Sequence, residues 1–281
     1  MKSKITSVLR ILVCILMVFA IIGTVGVIMA DKLYTPEYLI SQADKTNTYE
    51  NAYNSLMKRF SDNYSVSNIP KEVYVKSFSF EWMKASIDEK IRSNFEDRAA
   101  EIDCTEAEKC ITEYFEEYAH EKHVIKDETY EAKLAEAVSN AQKTALNEVD
   151  VYSLDVMNRA GIIRKLSAAV SLARKNKYAC FGALLVLLII IIMLKKPVYW
   201  AGTALFASGI ILAVPTTIVI AKHMIEKFSL KSFTTYTLVT GTLNSIAGIL
   251  QKTGFIILAT GIIFILIYCI FSRKEKAEER K

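Results

Sequence analysis

The sequence predicts an all-α membrane protein, with four transmembrane helices and an exported helical domain inserted between helices one and two. Three observations predict it. Four uncharged apolar runs each approach the roughly 20 residues that a helix needs to cross a bilayer. The long stretch between the first two runs is polar, yet carries apolar residues at steps of three and four, the helical period. Lys and Arg gather at the ends of the runs and more on one side than the other. The chain of 281 residues is 52% hydrophobic and 23% charged, with mean hydropathy +0.24 and net charge +5, so apolar and polar material is sorted into blocks. Ten Gly and four Pro among so many large apolar residues exclude a collagen-like or wholly disordered chain.

Residues 1–10 form a basic tail carrying Lys2, Lys4 and Arg10. Residues 11–30 are the first transmembrane helix. This run is about twice as long as a signal-peptide core, and Ile28 sits where a cleavage motif wants a small residue, so the segment is expected to stay as an anchor. Ala20, Gly23, Gly26 and Ala30 share one face of it, which suits close helix packing.

Residues 31–177 form the exported domain, long enough for a core of its own. Thr35-Pro36-Glu37 reads as a helix start, with Thr as N-cap and Pro in the first turn. Tyr49, Ala52, Tyr53, Leu56 and Phe60 make an apolar stripe, and Ser65 to Pro70 a break. The alternation from Val73 to Phe80 allows a short extended piece. Phe80, Met83, Ile87, Ile91, Phe95 and Ala99 make a second helical stripe. Thr105-Glu106-Ala107-Glu108 has the capping-box pattern. It opens a Glu-rich helix with Ala107, Cys110 or Ile111, Tyr114 and Tyr118 inward. Asp127 caps the next helix, whose stripe is Leu134, Val138, Ala141 and Ala145. From Val149 to Ala173 apolar residues alternate steps of three and four, interrupted only by Arg159, a heptad seam. The expectation is one long helix from near residue 128 that enters the membrane, bent at most at Gly161.

The second transmembrane helix is 178–194 and the third 198–221. The link Lys195-Lys196-Pro197 between them is so short that the two form an antiparallel hairpin. Pro215 should kink or end the third helix. Residues 222–253 form an outer loop with an amphipathic helix carrying Val239, Leu243, Ile246 and Leu250, lying on the outer surface or packed on the exported domain. The fourth transmembrane helix is 254–271, and 272–281 form a cytoplasmic tail. Small residues again mark packing faces: Ala204 and Ser208 beside Gly202 and Gly209, and Ala247, Gly254 and Gly261 at steps of seven.

Orientation follows from the short loops. The first tail, the 195–196 link and the last tail together hold ten Lys or Arg, against four in the loop of 222–253. The chain is therefore expected in the plasma membrane as a multi-pass protein with both termini cytoplasmic. The net charge hides a partition: residues 31–155 hold 15 Lys or Arg and 26 Asp or Glu, and residues 156–177 hold six and none. Arg159, Arg164, Lys165, Arg174, Lys175 and Lys177 thus form a basic collar suited to the membrane surface. The lipid bilayer is one partner, and a protein partner or self-association the other. Nucleic acid is not expected for a surface outside the membrane.

Chemistry-bearing patterns are sparse. Glu116, His120 and His123 fall at i, i+4 and i+7, and Glu117 with His120 makes a Glu-x-x-His pair. Di-metal bundles need a second such pair and two further Glu, and the chain has only one other His, His223. These four are the metal candidates, and a solvated polar face is the plainer reading. Cys104 and Cys110 are the cysteines expected outside. Asn63-Tyr64-Ser65 is a glycosylation triplet. Phosphate-binding, hydrolase and metalloprotease motifs are absent from the sequence, so no cofactor and no enzymatic activity are expected. No charged residue lies within the four apolar cores, which lowers an ion-coupled transporter. The membrane–helical domain–membrane layout resembles in architecture the exported sensor modules of bacterial receptors, with no shared motif. The function expected is a non-enzymatic envelope protein whose exported domain binds a partner or ligand. The alternatives are a small channel or transporter component, or an accessory subunit of a sensor.

Overall fold

The computed structural model describes residues 2–63, 69–230 and 232–278, with side chains from Val8 to Arg273. The glycosylation triplet, through its Tyr64 and Ser65, falls outside the described residues, as does most of the 65–70 break. The described residues form twelve helices and no strand. They are α1 (Lys2–Leu33), α2 (Pro36–Lys45), α3 (Thr48–Asp62), α4 (Lys71–Ser77), α5 (Phe80–Phe95), α6 (Thr105–Glu121), α7 (Glu128–Val149), α8 (Leu154–Arg159), α9 (Ile162–Lys175), α10 (Lys177–Met193), α11 (Pro197–Ala221) and α12 (Phe233–Glu278). The extended piece expected at Val73–Phe80 is instead α4 and the start of α5.

Three helical stretches are long and apolar enough to cross a membrane: Val8–Leu33, Pro197–Ala221 and Phe233–Arg273. The bent pair α9–α10 makes a fourth if counted as one span. The helices gather into two compact units, one comprising Met1–Tyr34, Arg164–Phe228 and Thr242–Lys281, the other Thr35–Ile163 and Ser229–Gly241.

In the first unit α1 packs on α10 and α11. Val13, Cys14, Met17 and Ile21 of α1 bury together with Ile191 and Ala204, and the Cys14 thiol points to the Trp200 carbonyl at 3.8 Å. Among the described residues the small-residue face of α1 has no close neighbour at its glycines: a methyl added at Gly23 or Gly26 meets no atom within 4 Å, and Ala20 and Ala30 are half-buried. Apolar steps of three and four recur on more than one face of a helix. The bulkier face buries more surface and makes more dispersion contacts.

The α11–α12 pair does pack through its small residues. Tyr199 meets Tyr268 with ring centroids 5.4 Å apart. An added methyl at Gly202 would lie 3.0 Å from Ile265, and one at Gly209 2.5 Å from Leu258. One at Gly254 would lie 2.6 Å from the Ala213 nitrogen, and one at Gly261 would collide with the backbone of Phe206. Further along, the Gln251 amide donates to the Thr217 hydroxyl at 3.0 Å. Positions rise on α11 as they fall on α12, at alternating steps of three and four, so the helices are antiparallel in one register. Glycine is required here because backbone meets backbone. Ala204 and Ser208 are fully buried, with the Ser208 hydroxyl donating to the Ala204 carbonyl at 2.7 Å. Ala247, the first small residue in the expected series, is also buried.

The apolar helices differ from the sequence expectations at three points. Pro215 does not end helix α11, which continues to Ala221. Pro215 lacks the N–H that would have donated to Ile211, and the neighbouring Thr216 and Thr217 hydroxyls donate to the Leu212 and Ala213 carbonyls at 2.8 and 2.7 Å. The long helix from residue 128 is broken into α7, α8, α9 and α10. Asp150 ends α7 by accepting the Leu154 and Asp155 N–H groups at 2.6 and 3.1 Å, Gly161 turns at φ +68°, and α9 meets α10 at 49°. A carboxylate that captures backbone donors stops a helix that apolar periodicity alone would continue. The separate amphipathic helix in 222–253 is instead the start of α12, a continuous helix of 46 residues.

The second unit has its own core. Tyr49, Leu56 and Phe60 of α3, Phe78, Met83, Ile87 and Ile91 of α5 and its approach, Ala107 and Ile111 of α6, and Ala141, Ala145 and Val149 of α7 are buried together. Leu238 of α12 joins them with no exposed surface, and a methyl at Gly241 would lie 2.5 Å from the Thr46 side chain. Leu238 is the fully buried residue here, Val239 of the expected stripe packs against the same core half-buried, and Leu243 is exposed. Thr35 caps α2 by accepting the Tyr38 N–H at 3.2 Å, and Asp127 caps α7 through Tyr130 at 2.9 Å, both as the sequence predicts. The capping box at Thr105 does not form. Asp103 accepts the Thr105 N–H and hydroxyl at 2.9 and 2.6 Å, which makes Thr105 the first helical residue. These hydrogen bonds hold the Asp103 carboxyl below its usual range.

Candidate functional site

The second unit carries an open groove of about 610 Å³ between α3, α4, α6 and α7. Its floor follows from the apolar stripes. Phe60 and Tyr74 stack with centroids 3.8 Å apart and planes 3° from parallel, and Phe78 continues the stack at 5.6 Å from Phe60. Ile69, Phe115, Ala137 and Ala141 complete the floor. The rim is polar and comes mostly from α7: Lys133, Glu136, Asn140, Lys143, Thr144 and Asn147. An apolar aromatic floor with a few amide and ammonium groups above it is the usual make-up of a binding groove. The sequence reading missed it. The α7 stripe of Leu134, Val138, Ala141 and Ala145 was legible, whereas its polar neighbours at the same spacing look like any solvated face. Only the placement of Phe60, Tyr74 and Phe115 beside them makes a groove.

A second, more polar cleft of about 520 Å³ lies between the end of α5, the chain after it, the end of α7, and α8. Its groups pair with one another. Lys90 bonds Asp155 at 2.7 Å, and the Asn158 amide donates to Asn94 at 3.0 Å. Arg98 forks onto Glu89, whose carboxylate also accepts the Glu101 N–H at 3.1 Å. That fork holds the Glu89 carboxyl below its usual range.

The metal candidates are not brought together. Helix α6 ends at Glu121, and the chain turns with His123 at φ +52°, so His123 leaves the face of Glu116 and His120. Glu116 faces Lys126 at 3.9 Å, and Glu117 and His120 are exposed. No group of three or more His, Cys, Asp or Glu among the described residues is placed to hold a metal ion. Cys104 and Cys110 are free thiols, each pushed above its usual pKa by burial first.

The basic collar divides. Arg159 lies on α8 and donates to the Asp155 carbonyl at 3.3 Å. Arg174 binds Asp31 at 3.1 Å and the Tyr34 carbonyl at 2.9 Å, tying α9 to the end of α1. Lys177 sits over the Tyr178 ring at 5.3 Å. Arg164, Lys165 and Lys175 are exposed and make no ion pair among the described residues. No protein-family profile, curated protein or solved structure matches the chain.

Proposed function

We propose that the chain is a four-span protein of the plasma membrane with both termini cytoplasmic. In this reading the second unit is exported and binds a protein partner or a ligand without catalysis. The open groove above Phe60 and Tyr74 carries the binding part of the reading, because stacked aromatic rings line its floor and amide and ammonium donors line its rim. The alternation of the apolar helices supports the topology. Cys14, Trp200, Lys196 and Tyr268 meet at one end of the first unit, next to the basic link of 195–196. Asp31 and Arg174 meet at the other end of α1. The glycine seam between α11 and α12 is closed by backbone contact, which gives the channel alternative less support.

Protease treatment of intact cells tests the topology: cleavage within 31–177 is expected, and protection there refutes export. Capture in mild detergent tests binding. Asn140→Trp, which crowds the groove from an exposed rim position, is expected to abolish co-purification of whatever the wild-type chain retains. Equal capture by wild type and variant refutes the groove as the site.

A further inference from the structure

We propose that α9 lies in the headgroup layer of the bilayer and binds anionic phospholipid through Arg164, Lys165 and Lys175, while Arg174 is committed to the protein. The inference rests on the reading that α10 and its neighbours cross a membrane. Four observations carry it.

First, residues 156–177 hold six Lys or Arg and no acid, so nothing on this segment neutralises the cations locally. Second, α9 exposes large apolar side chains beside those cations: Ile162 at 48%, Leu166 at 44% and Leu172 at 64%. Such residues on a helix otherwise rich in charge are unfavourable in water and are accommodated at an interface, where apolar groups enter the acyl boundary and long cations snorkel to phosphate.

Third, α9 joins α10 across Asn176 at 49° rather than continuing straight, so an α10 that crosses the bilayer turns α9 out of the crossing direction. Helix α10 has 17 residues. At 1.5 Å per residue it rises about 26 Å, against a hydrocarbon core of about 30 Å. A span this short draws the cations at its start to the headgroup level. Exposed Tyr178 under the Lys177 ammonium is the aromatic residue expected at that boundary. Fourth, Arg174 binds Asp31 at 3.1 Å and the Tyr34 carbonyl at 2.9 Å, at the end of a second apolar helix, which holds α9 at the same level.

The test uses the full chain with its native cysteines replaced and a fluorophore at Leu172→Cys. It is reconstituted in nanodiscs of phosphatidylcholine alone or with one quarter phosphatidylglycerol. In the anionic discs the fluorophore is expected to be quenched by lipid spin-labelled near the carbonyl and shielded from iodide. Native mass spectrometry is expected to show retained phosphatidylglycerol, and Arg164→Gln/Lys165→Gln/Lys175→Gln should lower the preference for it about tenfold. A chain that inserts normally but leaves the Leu172 probe open to iodide in both discs, or whose triple variant keeps the same preference, overturns the inference alone. A chain stripped from the discs by alkaline carbonate overturns the spanning reading beneath it.

Discussion

A methyl group at Gly209 would sit 2.5 Å from the Leu258 nitrogen and Cβ and 2.6 Å from its Cα. Relaxed carbon contacts lie at about 3.5–4.0 Å, so Gly209→Ala is short by about 1 Å. Two of the three atoms are backbone of α12 and cannot rotate away. The helices must part along the whole seam, loosening the Gly202–Ile265 and Ala213–Gly254 contacts as well. Overpacking of this kind costs about 1–3 kcal/mol, offset by about 1 kcal/mol from the better helix propensity of Ala. A net loss of up to about 2 kcal/mol is expected for Gly209→Ala, with a similar loss for Gly254→Ala. Gly23→Ala and Gly26→Ala are the internal controls, since an added methyl meets nothing within 4 Å at either. Both are expected to be neutral or slightly stabilising. The assay is reversible unfolding in mixed micelles of rising dodecyl sulfate fraction. Equal stability of Gly209→Ala and Gly23→Ala would refute the seam.

Gln42 is 2% exposed and its amide nitrogen has no hydrogen-bond partner among the described residues; an unmet buried donor costs about 1–3 kcal/mol, so Gln42→Met is expected to raise stability by about 1 kcal/mol in chemical denaturation. Arg59→Met strips the 2.7 Å partner from Glu148, whose side chain is 6% exposed. Breaking a buried pair costs about 3–5 kcal/mol, but the Arg59 side chain is 55% exposed and solvent screens it, so about 1–2 kcal/mol is expected, largely recovered in Arg59→Met/Glu148→Met. Acid should loosen the chain after α5. The Glu89 carboxyl is lowered from 4.5 by the Arg98 fork, so its contribution is present above pH 4.5 and is lost as pH falls through the lower folded value. Trp82, whose indole donates to the Asp103 carbonyl at 2.6 Å, reports this in a Trp200→Phe background. Its fluorescence is expected to shift below pH 4.5, and an identical shift in Glu89→Gln would refute the assignment.

The legible features of this chain were those set by local chemistry. The N-caps Thr35 and Asp127 sit where their oxygens meet the free N–H groups of the next turn. The stripes Tyr49–Leu56–Phe60 and Met83–Ile87–Ile91 are buried because a side with apolar residues at every turn has no other stable place. Illegible were the points where a local competitor or a distant neighbour decides. Asp150 interrupts a heptad-like run that continues on paper. Asp103 displaces Thr105 from its cap. Gly23 and Gly26 have the spacing of a packing face yet pack against nothing, whereas Gly254 and Gly261 are needed because α11 lies against them.

The sorting of the chain is written in its residues. Apolar runs of bilayer length, a helical period through the polar stretch and the partition of charge each follow from single residues and their immediate spacing. Tertiary structure alone decided the rest. It brought Leu238 into the core of the second unit across the apolar helices that intervene in the chain. It raised the α7 rim over Phe60 and Tyr74, chose one face of α1 over another, and bent α9 away from α10. Each of these depends on which surfaces meet, and a helical period shows that a face exists without showing what covers it.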